Sequence, residues 1–439
     1  MSRKKVIVIG GGAGGMMAAA RAGELGAEVT LLEKMEHPGK KLLISGNTRC
    51  NLTNASELDD FISMYGDNGK FLYGAFRCFF RADLLLLLHK YGVRISQEPD
   101  GRIFPSSGKS SDVVLALQRY MLDHGAKVLT GKAVLDIEVN NGYVIAVRTG
   151  DATYDADAVV LATGGASYPQ TGSTGDGYNL SARLGHSIIK LRPALVPVIV
   201  KEKELVKKLQ GISLRDVRLT SFSCDARAVD IKLVPKRDKG RGIAGRKSLQ
   251  PVMESRSGDI IFTHFGLSGP AVLLMSLAIV EALEKGPVSI AIDLLPEKDL
   301  RQLRDELQVN FDAHGGKLIR SIVAELLPAR MVGPLLENAA IPADKRANQA
   351  SAAERDLIVH SIKSLRLNIA GACPLTEAMV TAGGVSLDEI NPRTMESRLI
   401  KGLYFCGEVM DIDADTGGFN LQAAFSTGYL AGESAARAN

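Results

Sequence analysis

The sequence predicts an α/β protein: a parallel sheet carried in two chain segments, with a β-rich and helical domain inserted between them. Three observations predict it. Residues 6–33 read as strand, glycine turn, helix and strand. Two further short apolar runs, 159–161 and 403–406, each lead directly into a glycine-containing turn. Between about 191 and 366 the texture changes to short β-like runs followed by a helical block.

The first stretch is the most specific. Val6–Ile9 is a short apolar run of the kind a strand buried on both faces shows. Gly10, Gly12 and Gly15 satisfy G-x-G-x-x-G, with Ala13 and Gly14 inside the motif; residues 16–25 read as a small-residue helix, Gly26 ends it, and 29–32 is a second strand. Gly10 permits the tight turn, Gly12 lets a pyrophosphate approach the backbone, and Gly15 lets helix and strand pack closely. The free N–H groups and positive dipole end of the helix face the phosphates. Glu33 follows 18 residues after Gly15, where an acid accepts from a ribose hydroxyl, and Lys34 stands beside it. The motif lies between a strand and a helix, which is the context it requires.

At 439 residues the chain should hold two or three domains. Hydrophobic content of 46% and charged content of 23% are those of a soluble globular protein, and a net charge of +4 does not by itself argue for nucleic acid. Cys50, Cys78, Cys224, Cys373 and Cys406 are scattered, which gives no disulfide or metal signature and suits a reducing compartment. The chain enters its first strand at once, so no signal peptide fits, and no apolar run reaches the roughly 18 residues of a membrane span. A cytoplasmic protein without a membrane partner is expected; the oligomeric state stays open.

Residues 34–54, KMEHPGKKLLISGNTRCNLTN, are polar and carry Lys40, Lys41 and Arg49, which suits a loop covering a ligand at the carboxyl edge of the sheet. Residues 82–91 and 112–124 read as helices, the second capped by Ser111 or Asp112. Strands at 128–129, 134–139 and 144–148 follow, the last two joined by a type I′ turn at Asn141-Gly142. Then comes VVLATGG, 159–165, with Thr163 and Gly164 at its end. A small meander followed by a strand ending Ala-Thr-Gly resembles the glutathione-reductase type of Rossmann FAD-binding domain. The insert shows β-like runs at 217–224, 229–234, 259–263 and 288–294, a helix opening at Ser268-Gly269-Pro270, and a helical stretch over 297–364 with a capping-box pair at Ser351 and Glu354. Residues 235–247 hold six basic residues and one acid among glycines; a solvated hairpin tip is the first reading, an anion or partner contact the second. The pattern divides the chain into 1–190, an insert at 191–366 (β-rich to 296, helical from 297), and 367–439. In the last segment Gly407-Glu408 ends a strand and Gly417-Gly418 opens a helix from Asn420 to Ala431, a second phosphate- or flavin-facing helix start.

The blocks GGGAGG (10–15), GKKLLISGNTRCNLTN (39–54), GRIFPSSGKSSDVV (101–114), ATGGASYPQTGSTGDGY (162–178), FTHFGLSGPAVL (262–273), VTAGGV (380–385) and GEVMDIDADTGGFNLQAAFSTG (407–428) resemble the bacterial FAD-dependent flavoproteins of the aminoacetone-oxidase-like and 3-dehydro-bile-acid Δ4,6-reductase-like group, that of YhiN and BaiN. Residues 235–247 depart from it, many relatives being shorter there. The resemblance implies a two-segment FAD domain around an insert. It implies that Gly10, Gly12 and Gly15 hold the pyrophosphate and Glu33 the ribose. Ser45, Gly46 and Arg49 then lie toward flavin and phosphates and Val134 toward adenine. Gly407, Glu408, Gly418, Asn420, Leu421 and Gln422 lie toward the ribityl chain and flavin. Ala13, Gly14, Lys34, Lys41, Thr163 and Gly164 complete the cofactor set.

Hydride chemistry belongs to the flavin, and the protein supplies position and electrostatics. Arg49 reads first as a phosphate clamp and second as catalytic. Cys50 reads as a packed thiol before a redox one. Tyr168 and His264 are the candidate proton donors, His264 being read first as structural. The expected function is an FAD-dependent oxidoreductase acting on a small organic substrate through a non-covalent flavin. The alternatives are an NAD(P)H-dependent reductase with transient nicotinamide binding and a flavin-dependent RNA-modifying enzyme. No second G-x-G-x-x-G follows a strand, which speaks against a resident nicotinamide domain. With aromatic content of 5% and no Trp, a stacking surface for RNA is not expected.

Overall fold

The computed structural model describes residues 3–229 and 252–437. It divides the chain into two compact units, residues 1–192 with 375–439, and 193–374. The basic segment 235–247, and all but the first residue of the strand expected at 229–234, lie outside the described residues.

In the first unit five strands form one parallel sheet in the order Leu403–Phe405, Ala158–Leu161, Lys5–Ile9, Glu28–Leu32, Lys127–Leu129. Val6 stands beside Ala158 on one side and Val29 on the other. Val6, Val8, Val159, Val160 and Leu161 are wholly buried, as a sheet covered on both faces requires. The helix Ala13–Glu24 follows the first strand, and Gly14–Ala20 and Ala22 are buried. It packs against the C-terminal helix Phe419–Arg437, which runs beyond the expected 420–431 because its small residues Gly428, Ala431, Gly432 and Ala435 continue the buried face. A meander of Val134–Asn140, Tyr143–Thr149 and Thr153–Asp155 turns at Asn141 and Gly142, both in the left-handed region at φ 51° and 79°. The helix expected at 112–124 spans Ser110–Asp123 and has no side-chain cap. Ser110 Oγ donates instead to the Leu43 carbonyl (2.6 Å), and Asp112 accepts from Ser107 Oγ (2.6 Å). The strand Val380–Val385 joins no part of the parallel sheet; it pairs in a separate two-stranded sheet with the strand that begins at Ile188.

The second unit is a closed barrel of six strands, in the order Val198–Val200, Gly266–Ser268, Val252–Phe262, Ser213–Phe222, Ser289–Asp293, Leu365–Ala372. The last of these pairs with both Ser289–Asp293 and Val198–Val200, so the barrel is complete only after residue 367, where the sequence had placed the return to the first unit. Helices Leu300–Ala313, Ile319–Val323, Ala329–Asn338 and Ala352–Lys363 lie in the chain between the barrel strands Ser289–Asp293 and Leu365–Ala372. Leu303, Leu307 and Phe311 fall on one face of the first helix and join a core with Leu219, Ile260, Ile292 and Leu367. Ser351 and Glu354 form the capping box, with Glu354 N on Ser351 Oγ (3.2 Å) and Ser351 N on the carboxylate (2.8 Å).

One buried histidine in the first unit ties its stability to pH. Ser397 Oγ accepts from Leu399 N and Ile400 N (3.0 and 2.9 Å). Its own hydrogen is therefore given to His186 Nε2 (2.8 Å), as a neutral ring allows, while Nδ1 is buried without a partner. The ring is 4% exposed and meets Phe405 edge-on. Burial holds its pKa below the usual value. As pH falls, the unfolded imidazole takes up a proton near about 6.5 while the folded one does not, so stability present above that value is lost below it. We predict that the urea midpoint of the wild type falls more between pH 7.5 and pH 5 than that of His186→Gln. Equal falls would remove His186 from the account.

Candidate functional site

The glycine turn is fixed by contacts no larger residue permits. Gly10 sits at φ +99°, and a Cβ there would lie 2.6 Å from the Ala162 carbonyl oxygen. A Cβ on Gly15 would lie 1.9 Å from the Gly10 oxygen. Gly12 is the contrast: a Cβ there would meet no protein atom within 4 Å, so its outer side is open. The first-turn amides of the helix Ala13–Glu24 have no acceptor within the helix. Glu33, 9% exposed, accepts from Gly11 N on Oε2 (2.7 Å) and from Met35 N on Oε1 (2.8 Å). Each oxygen keeps a second lone pair for a hydroxyl.

Beside this turn, the strand Ala158–Leu161 runs out through Thr163 and Gly164, the latter at φ +72°. Thr163 Oγ1 is buried without a partner. A polar cluster follows: Lys41 Nζ donates to Ser167 Oγ and to Glu408 Oε2, both 2.7 Å, and Glu408 Oε1 accepts from Thr381 N (2.9 Å). Lys34 pairs with Asp176 (2.6 Å) and Thr174. Tyr168 is half-buried at φ +52°, its carbonyl accepting from Thr171 N (2.9 Å) and Thr171 Oγ1 (2.7 Å).

The loop after the helix Lys40–Ile44 is strained. Gly46, Asn47, Thr48 and Cys50 all have positive φ, between 56° and 67°. Ser45 Oγ donates to the Leu42 carbonyl (2.7 Å). Cys50 is fully buried, and burial pushes its thiol up to about 12. The Arg49 guanidinium pairs with Glu98 (2.5 Å) and lies 4.0 Å over the Phe104 ring. Asn51, its amide turned to suit its neighbours, accepts from Gly418 N (3.0 Å) and donates to the Thr53 carbonyl (3.2 Å).

That bond occupies the amide of Gly418, leaving those of Phe419, Asn420 and Leu421 as the open first turn of the C-terminal helix. The Asn420 side chain closes the preceding loop on Ala414 N and O (2.9 and 2.8 Å). Gln422 is wholly buried; its Nε2 donates to Ser426 Oγ (2.9 Å), and its Oε1 has no partner. Gly407 N donates to Thr427 Oγ1 (3.0 Å). Val134 is half-buried at the head of the meander, opposite Thr149.

The first unit thus gathers Gly10–Gly15, Glu33, Lys41, Thr163, Gly164, Glu408 and the 418–422 turn at the carboxyl ends of its parallel strands and the turns that follow. His264 belongs to the second unit, exposed in the turn between Val252–Phe262 and Gly266–Ser268, its ring edge-on to Phe265. The sequence reading missed Asn51, Thr53, Ser167 and Thr381. The available signal was a hydroxyl or amide residue next to each glycine turn. Among the described residues no group of three His, Cys, Asp or Glu side chains is placed to hold a metal, and no helix is long and apolar enough to cross a membrane.

Residues 4–434 match the family described as HI0933-like protein Rossmann domain. The chain belongs to that family. It is 30% identical over 438 residues to the 3-dehydro-bile acid delta(4,6)-reductase of Clostridium scindens, covering 99% of each chain. It is 29% identical over 417 residues to the ribosomal RNA dihydrouridine synthase of Escherichia coli, covering 94% of this chain and 92% of the other. A flavocytochrome c3 fumarate reductase in its open conformation superposes with a TM-score of 0.48 at 16% identity, over 99% of this chain and 78% of the other. By its family the protein is a Rossmann-fold oxidoreductase of the flavoprotein class.

The raised Cys50 thiol yields a direct check. In native protein at pH 8 iodoacetamide should leave Cys50 unmodified, and denaturant should expose it to labelling. Rapid labelling of Cys50 in the folded protein would show a reactive thiol instead of a packed one.

Proposed function

We propose that the protein is an FAD-dependent oxidoreductase that moves hydride between a non-covalently bound flavin and a small organic substrate. The observation that carries this reading is a set of unmet buried polar atoms. Thr53 Oγ1, Thr163 Oγ1 and Gln422 Oε1 lack partners; Thr163 adjoins the glycine turn, and Thr53 and Gln422 lie at the start of the C-terminal helix. A buried polar atom left unpaired costs about 1–3 kcal/mol, so three of them together suit a polar ligand that completes them. The open side of Gly12 has room for a pyrophosphate at the helix start.

The isoalloxazine, once bound, supplies hydride transfer. The protein's part is binding and electrostatics. Glu33 holds a ribose hydroxyl, and the first-turn amides of Ala13–Gly15 hold the pyrophosphate. The amides of Phe419–Leu421 face developing negative charge, which a helix start stabilises without rearrangement. Tyr168, its backbone held left-handed in the turn after Gly165, is the candidate proton donor in the first unit. Hydride addition to a carbon–carbon double bond suits the names of both relatives, and NAD(P)H is the proposed transient donor. The C. scindens relative favours a steroid-like small molecule as substrate. The E. coli relative, at almost the same identity, favours a second reading in which the acceptor is a pyrimidine ring in RNA.

Heat or acid should release one FAD per chain and no FMN; flavin retained on precipitated protein would exclude the non-covalent reading. Glu33→Ala should weaken FAD binding to the deflavinated protein by about ten- to a hundredfold, the worth of a charge-assisted bond. Unchanged affinity would remove Glu33 from the ribose. The acceptor is settled anaerobically: NAD(P)H-reduced enzyme is mixed with unsaturated ketosteroids or with ribosomal RNA transcribed without modification. Reoxidation of the flavin by the ketosteroid alone supports the small-molecule reading, and reoxidation by RNA alone replaces it.

A further inference from the structure

The sequence reading aimed Glu408 at the ribityl chain and flavin, and in the structure both oxygens of its carboxylate are engaged by protein donors. Oε2 takes Lys41 Nζ (2.7 Å) and Gly165 N (3.4 Å); Oε1 takes Thr381 N (2.9 Å) and Ser167 Oγ (3.3 Å). Both oxygens are thus engaged, most closely by Lys41 and Thr381, while the single Ser167 hydroxyl hydrogen is shared with the Met379 carbonyl (3.5 Å). Lys41 also donates to Ser167 Oγ (2.7 Å), which is wholly buried, and Thr381 Oγ1 accepts from Ala166 N (2.9 Å). Every residue from Gly165 to Ser167 is therefore bonded into one cluster. There is no slack in it: a Cβ on Gly165 would lie 2.4 Å from Thr381 Oγ1 and 2.9 Å from the Glu408 carboxyl carbon.

The cluster joins four segments distant in sequence: the helix Lys40–Ile44, the turn after Ala158–Leu161, the strand Val380–Val385 and the turn Gly407–Val409. Lys41 and Glu408 are 28% and 20% exposed, so their attraction is only partly screened. We propose that Lys41 and Glu408 form a charge-neutral clamp that positions the Gly164–Ser167 turn against the flavin without placing net charge beside the ring. This rests on the flavin reading above. Glu408 is then a positioning residue for that turn. Lys41 retains one of its three N–H donors.

A neutral pair beside a redox ring has a signature that packing lacks. Loss of the cation alone should disfavour the more negative reduced ring, and loss of the anion alone should favour it. The test uses holoenzyme and the variants Lys41→Met, Glu408→Gln, the double variant and Lys41→Arg. FAD affinity is read by reconstitution, the midpoint potential by dye-coupled titration, and folding of each apoprotein by circular dichroism. Each single variant should bind FAD about tenfold or more weakly, as loss of a charge-assisted bond implies. Lys41→Met should lower the potential and Glu408→Gln should raise it. The double variant should return toward the wild-type potential, and Lys41→Arg should keep both affinity and potential. Single variants that match the wild type, or that shift the potential in one common direction, would overturn the clamp. Should Glu408→Gln fail to fold, Lys41→Met against Lys41→Arg still carries the comparison: a lowered potential in the first alone supports the proposal, and equal potentials overturn it. Wild-type protein that binds no FAD would overturn the flavin reading and this proposal with it, whereas normal FAD binding with unmoved variants overturns the clamp alone.

Discussion

The N-terminal helix is held by contacts closer than any side chain allows, and the site depends on them. A Cβ on Gly15 would lie 1.9 Å from the Gly10 carbonyl oxygen on the strand side. Against the C-terminal helix, a Cβ on Gly428 would lie 2.2 Å from the Gly14 oxygen, and one on Gly432 would lie 2.3 Å from the Ala18 oxygen. Backbone against backbone leaves no rotamer to adjust, so the helices cannot slide without losing contact along their length. Two helix starts, each with unmet N–H groups, are thereby fixed in relation to each other. Preorganisation of this kind lets backbone dipoles act on charge without reorganising.

The same rigidity explains what was legible in the sequence. Glycine at positions 10, 12 and 15 is demanded by local geometry, and local demands leave a spacing that can be read. The second glycine turn at 163–165 and the helix start after Gly418 were legible for the same reason. Long-range pairings left less trace. The boundary expected at 366/367 falls inside the strand Leu365–Ala372, because nothing in its residues shows that it pairs with Ser289–Asp293 and Val198–Val200. Lys41 and Glu408 were each singled out, but as separate contacts to a cofactor; two opposite charges so far apart in the chain do not announce that they meet. Arg49 was singled out for a phosphate, while Glu98 and Phe104 gave no sign in the sequence that they would pair with it.

The loop between Ser45 and Asn51 shows what such a framework can sustain. Left-handed backbone costs a non-glycine residue roughly 1–2 kcal/mol, and Asn47, Thr48 and Cys50 all adopt it. The opposing terms are specific. The Thr48 carbonyl accepts from Ser110 N (2.8 Å), Cys50 N donates to the Ser45 carbonyl (3.0 Å), and the Cys50 side chain is fully buried. Asn51 then ties the end of the loop to Gly418. The strain sits where the polar loop approaches the C-terminal helix start, and rigid neighbours on both sides hold it there.

The pairing of Gly14 with Gly428 also sets an order of events during synthesis. The glycine turn and its helix leave the ribosome about 400 residues before the helix that covers them. At a synthesis rate of about 5–20 residues per second, the intervening stretch takes tens of seconds to appear. Throughout that time the parallel sheet lacks its edge strand at Leu403–Phe405, and the buried face of the first helix lacks its cover. The barrel, whose strands all lie between the two segments, is able to close before the unit that surrounds it in sequence. The two helix starts are thus brought together only late in synthesis, and until then the buried face of the first helix is left uncovered.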